Sequence, residues 1–167
     1  SDSREELSGN FKFVYDELMR DKNKYVISTI LKRSIKTKKT LKEKINLCKE
    51  IAKSKYVLLD DFYPIVYALK LRKETELIQL WHAMGAFKTV GYCRTGANTV
   101  SLTHRNYTGA IVSSESIRDD YAKSFGISID KVQALGVPRT DIFFDKSYEK
   151  NIKKKLYDKY QILKKKK

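Results

Sequence analysis

Apolar residues recur along this chain in short blocks, and their spacing switches repeatedly between a helical and an extended period. Phe11, Tyr15 and Leu18 share one helical face, with Val14 beside them. This predicts a helix from Asn10 to about Arg20 that Ser8 or Asn10 can cap. Tyr25 to Ile30 is rich in β-branched residues and predicts a short strand. A lysine-rich connector follows from Leu31 to Thr40. A second helix is expected over Leu41–Ser54, with Leu41, Ile45, Cys48, Ile51 and Ala52 at helical spacing. Tyr56–Leu59 predicts a strand that ends in Asp60-Asp61. Pro64 then suits the start of a short helix over Ile65–Leu69.

Leu77 to Trp81 predicts a buried strand, with His82 where it ends and Gly85 and Gly91 around a loop carrying Lys88. Residues 92–107 are polar and show no period. Gly109–Val112 is a further strand, leaving through Ser113-Ser114. Ser114 or Ser116 can cap the next helix, whose start carries Glu115, Asp119 and Asp120 and whose end is Phe125-Gly126. Lys131–Leu135 is the last strand, followed by Gly136-Val137-Pro138-Arg139-Thr140-Asp141 and a final helix over Ser147–Tyr160.

Alternation of this kind predicts an α/β fold, a mostly parallel sheet with helices on both faces. In such a sheet ligands bind at the carboxyl ends of the strands. Four exits are polar: Asp60-Asp61, His82, Ser113-Ser114, and Gly136 to Asp141. Parallel strands would bring all four to one edge. His82 is a base that titrates near neutral pH, Gly85 allows close approach of a ligand, and Lys88 is a cation for phosphate. Asp60 and Asp61 can orient an imidazole or bind a hydroxyl, and one of them can equally cap the next helix. Arg139 and Asp141 can form a local turn network with Thr140. His104-Arg105 reads as surface.

Composition narrows the function classes. The 167 residues suffice for one domain with a core, and 41% are hydrophobic. No apolar run is long enough to span a bilayer, and no signal-peptide pattern is present. Cys48 and Cys93 lack metal or redox spacing and are expected as reduced thiols. The 35 Lys and Arg against 20 Asp and Glu leave a formal charge of +15, densest at 36–44 and 153–167. That surplus points to an anionic partner: nucleic acid, anionic lipid or a phosphate-rich substrate. No arginine-rich, RNP-type or zinc-finger pattern accompanies it, so nucleic acid is not expected. Glycine signatures for dinucleotides and the P-loop are missing, and no metal cluster shows. Residues 1–8 read as a loop with no strand before it, as though the sequence began inside a domain.

Several pieces occur in one order: Ser8-Gly9-Asn10; the strand Tyr56 to Asp61; Gln79-Leu80-Trp81-His82-Ala83-Met84-Gly85 with Lys88 and Gly91; and Gly136-Val137-Pro138-Arg139-Thr140-Asp141. Together they resemble the CDP-glycerol glycerophosphotransferases that build teichoic acids and related capsular polymers in Gram-positive bacteria. The resemblance implies a two-domain GT-B enzyme, peripheral at the cytoplasmic membrane face. It would transfer glycerol phosphate from CDP-glycerol to a hydroxyl of a lipid-linked or polymeric glycan, releasing CMP; similar enzymes use CDP-ribitol. Residues 1–163 would be the Rossmann-like, acceptor-side half, and 164–167 a basic tail or the start of a linker. The donor-binding half would lie outside this sequence, and the fragment alone is expected to be inactive. The resemblance makes His82 the catalytic base; the substrate-binding candidates are Asn10, Asp60, Asp61, Gly85, Lys88, Ser114, Arg139 and Asp141. No cofactor is evident, with CDP-glycerol as the donor substrate. Two other readings remain open: another GT-B transferase using CDP-ribitol or a nucleotide sugar, and a basic module without chemistry that binds anionic lipid or nucleic acid.

Overall fold

The computed structural model describes residues 1, 3–21, 23–32, 38–95 and 102–165. Four short strands form the sheet: β1 (Tyr56–Leu59), β2 (Glu76–Gln79), β3 (Gly109–Val112) and β4 (Val132–Ala134). They lie in the order β1-β2-β3-β4, and all three pairings are parallel. The helices are α1 (Asn10–Leu18), α2 (Leu41–Lys53), α3 (Gly91–Thr95), α4 (Arg118–Phe125) and α5 (Lys146–Lys159). The predicted parallel α/β sheet is therefore present.

Strand register decides which residues become core. Val57 pairs with Leu77, Leu59 with Gln79, Gln79 with Ala110, Ala110 with Val132, and Val112 with Ala134. Directly paired residues of parallel strands point to the same face. One face thus carries Val57, Leu59, Leu77, Gln79, Ala110, Val112, Val132 and Ala134. All but Gln79 join the hydrophobic core, together with Leu47 and Ile51 of α2, Trp81, Tyr107, and Tyr121, Ala122 and Phe125 of α4. Gln79 is the only polar side chain on this face, and it is fully buried. Leu58, Ile78 and Ile111 on the opposite face are half-buried.

The structure corrects the reading of Tyr25–Ile30. This segment is irregular, and Val26 is fully exposed. It is held by the Ser1 amino group donating to Ile30 O at 2.9 Å and by one antiparallel bridge, Arg4 to Lys32. A β-branched run becomes a strand only where a neighbouring strand can pair with it and bury it. Strand β2 is also shorter than predicted. It ends at Gln79, and Trp81 sits at φ 49°, a left-handed conformation that no strand tolerates.

The helix caps differ as well. Gly9, not Ser8 or Asn10, precedes α1, and no side chain caps that helix. Ser114 does not cap α4; its Oγ lies 2.9 Å from Ser116 Oγ, and a 3-10 turn over Glu115–Ile117 leads into the helix. Helix α2 has a full capping box: Thr40 accepts from the Glu43 amide, and Glu43 accepts from the Thr40 amide. Pro64–Ala68 is a 3-10 helix where a short helix was predicted, and Pro138–Phe144 is another, ahead of α5. Part of the expected connector, 33–37, and part of the periodless segment, 96–101, lie outside the described residues, as do 166–167. The rest of that segment begins with α3, whose Gly91 sits at φ 51°. A Cβ there would fall 2.0 Å from Ser124 O, so only glycine fits. Among the described residues, no helix is long and apolar enough to cross a membrane.

Candidate functional site

The parallel order carries Asp60, His82, Ser114 and Gly136 to the carboxyl edge of the sheet, as the alternation predicted. The β2 exit is the most elaborate. The Trp81 amide donates to Gln79 Oε1 at 3.0 Å, closing a tight turn around the left-handed Trp81. That turn lays the His82 ring on the Trp81 indole, with centroids 4.6 Å apart and planes 26° apart. The indole is itself fixed, since Nε1 donates to Tyr121 Oη at 3.1 Å and the phenol donates to Gly85 O at 3.2 Å.

His82 Nδ1 lies 3.0 Å from the backbone oxygen of Asp60. A carbonyl oxygen can only accept, so Nδ1 carries the proton and Nε2 keeps a free lone pair. Asp61 Oδ1 stands 3.9 Å from the same Nδ1. The imidazole is about half exposed, with 42% of its side chain open to solvent. The chain therefore presents an oriented base at an open surface.

The β4 exit and α1 close on this turn. Asn10 Nδ2 donates to Trp81 O at 2.5 Å, and Asn10 Oδ1 accepts from the Arg139 amide at 3.2 Å. Arg139 Nη2 donates to His82 O at 2.6 Å. Asn10, Asp60, Asp61, His82 and Arg139 are thus brought together from four parts of the chain. Asn10 is 2% exposed, and its amide is committed to two backbone groups. Asp60 is 1% exposed, and its Oδ2 faces Arg4 Nη2 at 2.8 Å. Within this chain both act as struts beneath the site.

The remaining candidates sit further out. Ser113, not Ser114, ties the β3 exit to the His82 loop, its Oγ donating to Met84 O at 2.5 Å. Lys88 and Asp141 are exposed and make no hydrogen bond or ion pair among the described residues. Gly85 accepts from Tyr121, and the Phe87 ring lies 2.6 Å from where its Cβ would be. No group of three or more His, Cys, Asp and Glu suited to a metal occurs among the described residues.

The structure also reveals a buried polar cluster that the sequence reading missed. His104, read as surface, is 3% exposed and sits at φ 64°; Arg105 beside it is exposed, as expected. His104 Nδ1 lies 2.9 Å from Tyr107 Oη and 3.2 Å from Tyr67 Oη, and the two phenols are 2.8 Å apart. Each hydroxyl can donate to Nδ1 or accept from it, according to the tautomer of the ring. Burial drags the His104 pKa down to about 4 and pushes both tyrosines up, so all three are neutral near pH 7. Gln79 Nε2 donates to Tyr107 Oη at 2.9 Å and to Asp61 O at 3.0 Å. The cluster thereby reaches the backbone on which His82 rests. The signal in the sequence was Gln79 itself, a polar residue among Leu77, Ile78, Leu80 and Trp81.

The chain is 50% identical, over its whole length, to a teichoic acid poly(ribitol-phosphate) polymerase of Bacillus spizizenii, covering 28% of that protein. It is 47% identical to the teichoic acid ribitol-phosphate polymerase TarK of Staphylococcus aureus, again over its whole length and 34% of the relative. It therefore spans about a third of the curated relatives it matches. A solved structure of the wall teichoic acid polymerase TagF superposes with a TM-score of 0.58 at 13% identity, covering 88% of this chain and 39% of that one. This likeness shows the fold, a Rossmann-like domain of the GT-B type. The family model for CDP-glycerol:poly(glycerophosphate) glycerophosphotransferases matches residues 1–167, and the chain belongs to that family.

Proposed function

We propose that the protein carrying this chain transfers an alditol phosphate from a CDP-alditol to a hydroxyl of a teichoic-acid-like polymer, and that this chain is its acceptor-side half. The observation that carries the reading is the His82 Nδ1 to Asp60 O hydrogen bond. It leaves the basic Nε2, on a side chain 42% open to solvent, free to take a proton from a substrate hydroxyl. In the reaction, Nε2 takes the hydroxyl proton as the oxygen attacks the alditol-bearing phosphorus. The bond from that phosphorus to the bridging oxygen breaks, and CMP leaves with the electron pair. Charge building on the phosphoryl oxygens needs cations. Lys88 and the Arg139 guanidinium stand on this edge, and the rest would come from the donor-binding half.

The resemblance pointed to CDP-glycerol. The relatives named as ribitol-phosphate polymerases are 44–50% identical, whereas a ribitol-phosphate primase is 33% and the glycerol-phosphate primases 29–32% identical. This favours CDP-ribitol as donor. A solved TagF structure of the same fold, TM-score 0.60, is described with CDPG, which supports a CDP-alditol of some kind. The test is a donor screen on the complete protein with CDP-ribitol, CDP-glycerol and UDP-sugars. CMP release confined to a CDP-alditol is expected, and turnover of UDP-sugars alone would overturn the reading. In the same assay, His82→Asn should lower kcat by about a hundredfold to ten-thousandfold, the usual contribution of a general base. A near-normal kcat in that variant would remove His82 from the chemistry.

A further inference from the structure

Gln79 is an anomaly in energetic terms. It occupies a sheet face otherwise made of Val57, Leu59, Leu77, Ala110, Val112 and Val132, with no exposure at all. A buried amide costs free energy unless every polar atom is matched. Two of its three partners lie at the site, and the third belongs to the buried cluster. Oε1 accepts from the Trp81 amide at 3.0 Å, and Nε2 donates to Asp61 O at 3.0 Å and to Tyr107 Oη at 2.9 Å. One side chain therefore joins the β1 exit to the β2 exit. It also holds the left-handed turn that presents His82.

We propose that Gln79, braced by Tyr107, is the positioning residue that aligns His82 against Asp60 O; this rests on the reading of His82 as the base. The geometry requires both halves of the contact. His82 Nδ1 can meet Asp60 O only if the β1 exit and the residue after Trp81 keep a fixed separation. Trp81 has a bulky side chain at φ 49°, a conformation that costs free energy unless the surroundings impose it. The Gln79 contact to the Trp81 amide supplies that constraint from within. Tyr107 cannot drift, because its hydroxyl is also engaged by Tyr67 at 2.8 Å and His104 at 2.9 Å, and its ring packs edge-on against Phe125. Asn10 and Arg139 hold the same turn from outside, through Trp81 O and His82 O. Beside the Leu80 amide, which donates to Leu59 O at 2.7 Å, the Gln79 side chain links it to the end of the strand that carries the acceptor carbonyl for His82.

The experiment is Gln79→Met in the complete protein, which keeps the length and removes all three hydrogen bonds. Two quantities are read: steady-state kinetics with the CDP-alditol, and the tautomer of His82 by NMR of nitrogen-labelled histidine. The His82 signal is identified by its loss in His82→Asn. The expected result is a fall in kcat of about tenfold to a hundredfold, as a displaced catalytic group gives, with little change in KM. The His82 ring should shift from the Nδ1-protonated form towards the Nε2-protonated form. A purely structural Gln79 would lower the melting temperature and leave the tautomer and kcat as in the wild type, and that result overturns the proposal. If Gln79→Met does not fold, Tyr107→Phe keeps the ring and removes only the brace. A smaller loss of kcat with the same tautomer drift supports the proposal, and wild-type behaviour in both readings overturns it. If His82→Asn instead retains its kcat, the base assignment fails, while the tautomer measurement still decides whether Gln79 sets the ring.

Discussion

Two histidines of this chain have opposite fates, and nothing in their immediate neighbours reveals which is which. His82 is half exposed with its basic nitrogen free, whereas His104 is sealed beneath Tyr67, Tyr107 and Phe125. The difference arises from backbone turns at φ 49° and φ 64° that a residue-by-residue pattern does not encode. His104 has a measurable consequence. Its folded pKa is near 4, below the unfolded value of about 6.5. Between those values the unfolded chain binds a proton that the folded chain refuses, so stability falls as pH falls through that window. Above about pH 6.5 the effect is absent, and below about pH 4 it is complete, at roughly 3 kcal/mol. His104→Asn suits the left-handed backbone and cannot titrate. Denaturant unfolding at pH 7, 6, 5 and 4 should show a shallower decline for the variant than for the wild type. Parallel curves would mean that His104 is not the group responsible.

At the level of elements, the helices and strands with a strong internal period were legible, and those that depend on a partner were not. Helix α2 and strands β1 and β3 fall where spacing put them. Tyr25–Ile30 has strand composition yet finds no strand to pair with among the described residues. The capping box of α2 was present in Thr40-Leu41-Lys42-Glu43 but hidden behind the lysines around it. The docking of α1 was also invisible, because it rests on one side chain reaching across the chain. Asn10 bridges Trp81 O and the Arg139 amide, 71 and 129 residues away. Removing it leaves a buried acceptor and a buried donor without partners, which costs about 1–3 kcal/mol per group. Asn10→Ala should therefore lower the unfolding free energy by about 2 kcal/mol or more. Asn10→Asp should recover little, since a carboxylate cannot donate to Trp81 O. A variant as stable as the wild type would show that α1 is held by its half-buried Phe11, Val14 and Tyr15 instead.

At the scale of the whole molecule, alternation of helix and strand was enough to place four polar exits on one edge, because parallel topology follows from the order of elements. It was not enough to show which exits touch, since Ser114 and Asp141 share the edge but not the cluster. The charge is the other global property. The formal net charge is +15, and α5 carries six lysines against Glu149 and Asp158. No residue of that helix is buried; Lys146, Lys150, Lys153, Lys154, Lys155 and Lys159 lie exposed among Tyr148, Leu156 and Tyr157. Tyr160, Ile162 and Leu163 continue the apolar content beyond it. Lysines interleaved with exposed aromatic and aliphatic residues suit an anionic interface, where each basic residue contributes on the order of 1 kcal/mol. Peripheral association with a membrane surface is the proposal that uses this arrangement. The complete protein should co-sediment with vesicles containing anionic lipid, and binding should weaken as salt rises through the range where the Debye length falls below about 10 Å. Replacing Lys150, Lys153 and Lys154 by Glu should weaken it further without affecting turnover of a soluble acceptor. Equal binding to neutral and anionic vesicles would show that charge is not the driving force. Absence of binding to either would leave the lysines to attract the polyanionic polymer itself.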